Sequence, residues 1–300
     1  MADAPMTTDF STGNDSTLRE AVRAKYAAIA TASGSAAAGQ SDDACCGPSC
    51  GCGPDDDTGV SSMIGDQYDG VEGYVADADL KLGCGVPTEV AAIHPGEAVL
   101  DLGSGAGLDA FVARRIVGAS GRVEGVDFAP EMVEKARDNA TDLGFENVRF
   151  HEGDIENLPL KDDRFDVALS NCVLNLVPDK SRAFAEMYRV LRPGGRFCVS
   201  DIVVRGTLPE SIRRSAELYA GCIAGALERG AYLEGLRAAG FSDVEIVRER
   251  PIDIPRTALL EAASEEELRR FRKDGSLASV TVRGRTPHTD RSGVPSRQRE

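Results

Sequence analysis

The chain has only three histidines, at positions 94, 151 and 288, and no apolar run near the roughly 18 residues that a membrane span requires. Each shortage removes a class of function. Scattered histidines offer neither a metal cluster nor a set of catalytic bases. The missing apolar run predicts a chain that does not enter a membrane. Positive charge is short too: 34 basic residues face 49 acidic ones, for a formal charge of -15 and a pI near 4.8. Nucleic acid and anionic lipid both need a basic face, so neither is an expected partner. The first thirty residues mix Asp3, Asp9, Asp15, Arg19, Glu20, Arg23 and Lys25 with short apolar stretches. No secretory leader can be drawn there, and the cytoplasm is the expected compartment. Eight cysteines in that compartment should be mostly reduced, and grouped thiols then point to ligand binding or redox chemistry.

A length of 300 residues exceeds the roughly 100 to 200 of one domain, which predicts a catalytic domain with smaller appendages. Residues 17–31 have apolar positions at helical spacing (Leu18, Val22, Tyr26, Ile29), with Thr17 and Glu20 placed as a capping box. From 32 to 62 the chain is rich in Ala, Gly, Ser, Asp and Pro, without periodicity, and holds CCGPSCGC; it reads as a mobile linker. Beyond it, strand-like segments at 98–102, 122–127, 148–150, 165–170 and 195–204 alternate with helical ones, which predicts a mostly parallel sheet with crossover helices. Later strands are expected at 243–249 and 277–282, a helical pair at 209–239 interrupted near Gly230, and a last helix at 264–274. The polar tail from 286 should be disordered. The expected divisions are 1–62 (helix and linker), 63–205 (catalytic core), 206–285 (helices and final strands) and 286–300 (tail).

Asp101-Leu102-Gly103-Ser104-Gly105-Ala106-Gly107 follows the first strand and opens a helix. Glycines allow a sharp turn and close approach of a ligand at the edge where open parallel sheets bind. Asp127 ends the second strand about 20 residues beyond the loop, where a carboxylate can take both ribose hydroxyls. Asp154, after the third strand, could reach an adenine amine. A dinucleotide site would space its glycines G-x-G-x-x-G, whereas here they read G-x-G-x-G. With Asp101, Asp127, Gly153-Asp154 and the LRPGG turn at 191–195, the loop resembles the first motif of class I S-adenosylmethionine-dependent methyltransferases. That resemblance implies an α/β Rossmann-like, doubly wound seven-stranded sheet, with an N-terminal helix and a small C-terminal α+β portion. It implies a cofactor site of Asp101, Gly103, Ser104, Gly105, Gly107, Asp127, Asp154, Ile155 and Asn171.

Cys84 sits in LGCGVP, where flanking glycines are expected to leave its sulfur exposed. Cys172 follows the fourth strand at the ligand edge, Cys222 lies in the apolar stretch LYAGCIAGAL, and Cys198 falls within the fifth strand and reads as core. The segments LKLGCGVPTE, SNCVLNLVPDKSRAF and ELYAGCIAGALE resemble the cysteine segments of arsenite methyltransferases. The resemblance implies that Cys84, Cys172 and Cys222 are thiolates binding As(III), a soft and thiophilic centre. It also implies that Cys45 or Cys46 forms a disulfide with Cys84, and that a thiol reductant, thioredoxin or glutathione, returns two electrons after each methylation. Two departures stand out: the extra thiols Cys50 and Cys52, and Leu82 where many members have an aromatic beside the cofactor. Zinc binding by the CCGPSCGC thiols, an organic methyl acceptor, and a sequestering protein without turnover are the other readings. Monomer is the default state.

Overall fold

The sheet follows from the run of apolar segments. Each central strand is buried along its length, as parallel strands covered on both faces must be. The computed structural model describes residues 15–35, 68, 70–215, 218, 222–254 and 256–288. Within these, β1 (Ala98–Leu102), β2 (Arg122–Asp127), β3 (Val148–Glu152), β4 (Phe165–Asn171), β5 (Leu191–Arg205), β6 (Ser242–Ile252) and β7 (Ser276–Arg285) form one sheet in the order β3-β2-β1-β4-β5-β7-β6. The first five pair in parallel, and β7 runs antiparallel to both neighbours. This is the expected mostly parallel, seven-stranded Rossmann-like sheet. The strand order reverses between β1 and β4, and their carboxyl ends open the crevice used by ligands.

Helices α2 (Leu108–Val117), α3 (Pro130–Asp142) and α4 (Lys180–Val190) cross over the sheet, and α1 (Asp15–Ser35) packs against α3. One core lies under α2 and α3, where Phe150 meets Phe111 edge-on at 5.8 Å. Another, under α4, sets Phe197 edge-on to Phe241 at 4.6 Å, a geometry that aromatic quadrupoles favour. No helix among the described residues is long and apolar enough to cross a membrane.

The C-terminal helices depart from expectation. The first is only one turn, α5 (Glu210–Arg213), and Gly230 does not interrupt a helix: it lies near the start of α6 (Arg229–Ala238). Glu228 caps that helix by accepting from the Gly230 and Ala231 N–H groups at 2.7 and 3.1 Å, which makes a glycine in the first turn tolerable. A short helix, α7 (Arg256–Leu260), was not foreseen, while α8 (Glu265–Asp274) starts at a Ser264–Glu267 capping box. The CCGPSCGC segment and most of the tail lie outside the described residues, as do Cys45, Cys46, Cys50 and Cys52.

Candidate active site

The glycine loop turns where Gly103, Gly105 and Gly107 all take positive φ (69°, 50° and 99°). A side chain at Gly103 would meet Val173, its Cβ only 2.8 Å from Val173 Cβ, so the loop and the segment after β4 can touch only through a glycine. Asp127 holds the loop: its Oδ2 accepts from Gly105 N at 2.9 Å and its Oδ1 from Ala129 N at 3.0 Å. The same carboxylate therefore braces the loop, caps the approach to α3 and faces the cavity. Asp101 is 2% exposed, and its Oδ2 and the Ser104 Oγ have no hydrogen-bond partner. Buried orphan acceptors and donors at a glycine turn are what a bound polar ligand would satisfy, so the loop fits an adenosyl cofactor.

Asp109, in the first turn of α2, completes an acidic wall that sequence reading missed. Tyr68 Oη donates to its two oxygens at 2.8 and 2.9 Å, and burial pushes its pKa up to about 6. Burial also raises Asp101 well above the usual carboxylate range, aided by Asp109 and Asp127, and Asp127 itself is raised by burial against its backbone bonds. Three carboxylates held away from water favour a cationic guest. Asn171 belongs to this wall but serves the protein more than the cavity. Its Nδ2 donates to Asp109 Oδ2, Tyr68 Oη and Gly85 O at 3.0, 2.8 and 2.8 Å, and its Oδ1 accepts from Cys84 N and Gly85 N at 3.0 and 3.2 Å. One side chain thus ties the glycine-flanked Cys84 turn to the cofactor wall.

That knot reverses one expectation. Cys84 is not exposed but fully buried: its flanking glycines bring the backbone against Asn171 and Ser200, and a Cβ at Gly85 would overlap Ser200 Oγ. The sulfur turns inward, and Cys84, Cys172 and Cys222 share one buried cluster with Val22, Ile202 and Ile223. Cys172 lies within hydrogen-bonding reach of both other sulfurs, and those two contacts, then burial, hold its pKa well above the usual thiol range. Burial likewise raises Cys84. Cys198 sits apart, in the core under α2 and α3, its pKa pushed up to about 12 by burial.

Cys172 and Cys222 both adopt positive φ, 60° and 63°, rare for residues with a Cβ. Cys222 also corrects the helical reading of its segment. Ile223 N donates to Leu218 O at 2.9 Å, the bond that closes a helix C-terminus, and Cys222 fills the left-handed position usually held by glycine. Its Sγ donates to Cys172 O at 2.8 Å.

α1 roofs the site. Arg19 pairs with Asp154 at 2.6 Å and with Glu156, so the carboxylate expected to face adenine is engaged by a guanidinium. Val22 is 2% exposed and packs on the thiols. Tyr26 hydrogen-bonds Cys222, and burial raises its pKa well above the phenol value, with Cys222, Cys172 and Asp127 adding to the rise. Its hydroxyl therefore lies between the acidic wall and the thiols. The helix was legible in the sequence; its place over the cavity was not, because no local pattern reports a contact made across 100 residues. One cavity joins these parts, lined by Tyr26, Asp101, Gly105, Asp127, Ile155 and Cys172 among others.

Residues 93–248 match a methyltransferase-domain family model. The chain is 41% identical over 281 residues to an arsenite methyltransferase of Halobacterium salinarum, covering 91% of this chain and 67% of that one. It is 40% identical over 205 residues to an arsenite methyltransferase of Aquipseudomonas alcaligenes, covering 64% of this chain and 59% of the relative. Among solved structures, an arsenic(III) S-adenosylmethionine methyltransferase from Chlamydomonas reinhardtii superposes with a TM-score of 0.57 at 40% identity, covering 67% of this chain and 66% of that one. The chain thus spans about two thirds or less of the length of these relatives. On the methyltransferase match and on an identity that extends from the cofactor wall through the cysteine segments, the chain belongs to the arsenite methyltransferase family of the class I S-adenosylmethionine-dependent methyltransferases.

Proposed function

We propose that the chain methylates trivalent arsenic, arsenite or an already methylated arsenical, held by the thiols of Cys84, Cys172 and Cys222. The observation that carries this is the meeting of three buried cysteines in one cluster, of which Cys172 lines the cavity formed by the glycine loop and the acidic wall. Asp101, Gly103, Ser104, Gly105, Gly107 and Asp127 would hold S-adenosylmethionine, with Ile155 and the Asn171 wall beside it and Asp154 at the far end. When bound, that cofactor supplies an electrophilic methyl on a sulfonium.

The thiol chemistry suits the substrate. Raised pKa values keep Cys84 and Cys172 neutral in the free protein, and arsenous acid is neutral as well. Each thiol proton leaves with one arsenic hydroxyl as water, so three As–S bonds form without burying a net charge. The lone pair left on pyramidal arsenic is the nucleophile; no general base is needed, and the protein's contribution is positioning and exclusion of water. Methylation formally oxidises arsenic, so two electrons must return it to the trivalent state before another methyl is added. A thiol reductant such as thioredoxin or glutathione is the source we assign, with Cys45 or Cys46 pairing with Cys84 as the internal dithiol.

The test is anaerobic incubation of the full chain with arsenite, S-adenosylmethionine and a thiol reductant, followed by chromatographic separation of arsenic species, alongside C172S and C222S. Methylated arsenic from the wild type and none from either variant supports the reading. Arsenite and cofactor binding without any methylarsenical would replace it with sequestration or another acceptor.

A further inference from the structure

Three thiols satisfy trivalent arsenic, whose lone pair takes the fourth position, yet the cluster holds one more donor than that. Asp201, on β5, is 1% exposed, and one of its carboxylate oxygens lies with the Cys84 and Cys172 sulfurs in a group whose ligand atoms are all within 4.8 Å of one another. Its Oδ2 accepts from Tyr232 Oη at 3.1 Å, while its Oδ1 is buried without a hydrogen-bond partner. Lys180 approaches, but its Nζ donates to Val177 O at 2.9 Å and Asn175 O at 3.4 Å, and no cation among the described residues forms an ion pair with Asp201. A carboxylate oxygen unpartnered in an apolar interior is relieved by a cation. Two sulfurs and one oxygen at ligand spacing make three of the four donors that a tetrahedral d10 ion takes.

We propose that Cys84, Cys172 and Asp201 bind a divalent thiophilic cation of the zinc or cadmium kind, which blocks the arsenical by occupying two of its thiols. The proposal rests on Cys84 and Cys172 being reduced thiols that meet in the folded chain, as the arsenic reading also requires, but not on arsenic being the substrate. Binding involves no redox change: the cation gains two thiolates and a carboxylate, and the two thiol protons pass to the buffer together with the proton that Asp201 carries where burial has pushed its pKa up to about 7. Arsenous acid instead releases water, so proton release separates the two ligands.

The experiment uses the full chain with Cys45, Cys46, Cys50 and Cys52 changed to serine, so that the linker thiols cannot supply a competing site. The reduced protein is titrated with zinc and read by X-ray absorption at the zinc edge, by proton release, and by a parallel titration with arsenite. The expected result is one zinc with a sulfur shell near about 2.3 Å and an oxygen shell at roughly 2.0 to 2.2 Å, releasing about two to three protons as Asp201 is ionised or protonated beforehand. D201N should lose the oxygen shell and bind zinc at least about tenfold more weakly. The oxygen shell of the chain that retains Asp201 decides the matter whether or not the variant folds. An all-sulfur shell that D201N leaves unchanged, or arsenite binding without zinc binding, overturns the proposal and leaves the arsenic reading in place. Failure to bind either ligand means the thiols do not meet, and overturns both.

Discussion

Asp109→Asn isolates the electrostatic state of the cofactor wall. Burial pushes the Asp109 pKa up from 3.8 to about 6, against the hydrogen bonds of Asn171 and Tyr68 that lower it. A rise of about 2 units corresponds to about 3 kcal/mol of preference for the neutral acid in the folded chain. Because the folded-state pKa lies above the unfolded one, this contribution is whole below about pH 4 and is lost as pH rises through about 6. Glu97, Glu124 and Glu186 have lowered pKa values and slope the opposite way, so the wild-type profile alone conceals the effect. The difference between wild type and variant exposes it. The asparagine can still accept from Tyr68, but its amide N–H faces Asn171 Nδ2, which stands 3.0 Å from Asp109 Oδ2, a mismatch costing about 1 kcal/mol. In urea denaturation without cofactor, D109N should be less stable than wild type by about 1 kcal/mol near pH 4 and more stable by about 2 kcal/mol above pH 7, the curves crossing between. Parallel curves over that range would refute the argument, because they would mean that Asp109 does not titrate there.

The same wall predicts that S-adenosylmethionine affinity, measured calorimetrically, rises with pH through about 6 as Asp109 ionises, and that D109N flattens the rise. Gly103→Ala combines a φ of 69° with a Cβ pressed into Val173; cofactor affinity should fall at least about tenfold by equilibrium dialysis, and unchanged affinity would mean the loop yields easily. Tyr26→Phe removes the hydroxyl bonded to Cys222, and a hydrogen bond worth about 1 kcal/mol predicts about a fivefold loss in kcat/KM for arsenite with cofactor affinity unmoved. At position 222 the usual order of small residues should invert: Cys222→Gly should be more stable than Cys222→Ala by about 1 kcal/mol in chemical denaturation, since only glycine takes the 63° φ without strain. Equal stabilities would argue that the left-handed conformation relaxes.

Much of the frame was legible because the relevant signals are local. Alternation of strand and helix, the G-x-G-x-G turn and Asp127 at the end of the second strand each act within a few residues of one another, and the sheet places them as expected. What the sequence concealed is set by distant partners. Glycines beside Cys84 suggested an exposed thiol, whereas they permit close packing against Asn171 and Ser200, which arrive from β4 and β5. Asp109, Tyr68, Asp201 and Tyr26 carry no motif; each matters through a contact made across tens to hundreds of residues. Cys222 was read as helical because the apolar run around it is continuous, and composition does not mark a helix end that lacks its usual glycine.

Strain and solvent exclusion converge on the same two residues. A left-handed backbone costs about 1 to 2 kcal/mol at a residue with a Cβ, and Cys172 and Cys222 both adopt it, with φ of 60° and 63°. Glycine would relieve that cost at either place, so the sulfur must justify the cysteine. Packing does not: Cys222 Sγ makes a hydrogen bond to Cys172 O, and Cys172 reaches both neighbouring sulfurs, polar contacts that an apolar core would not need. The surroundings hold the conformations in place, with Cys172 N bonded to Ser200 O at 2.8 Å and Ile223 N to Leu218 O at 2.9 Å. Left-handed turns aim two side chains from different elements at one point, while Asn171 fixes the third thiol and Tyr26 covers the cluster. The result is a trio of buried thiols brought together in the folded chain, with Cys84 and Cys172 held neutral by their raised pKa values, and the strain stored in two turns is the structural cost of that arrangement.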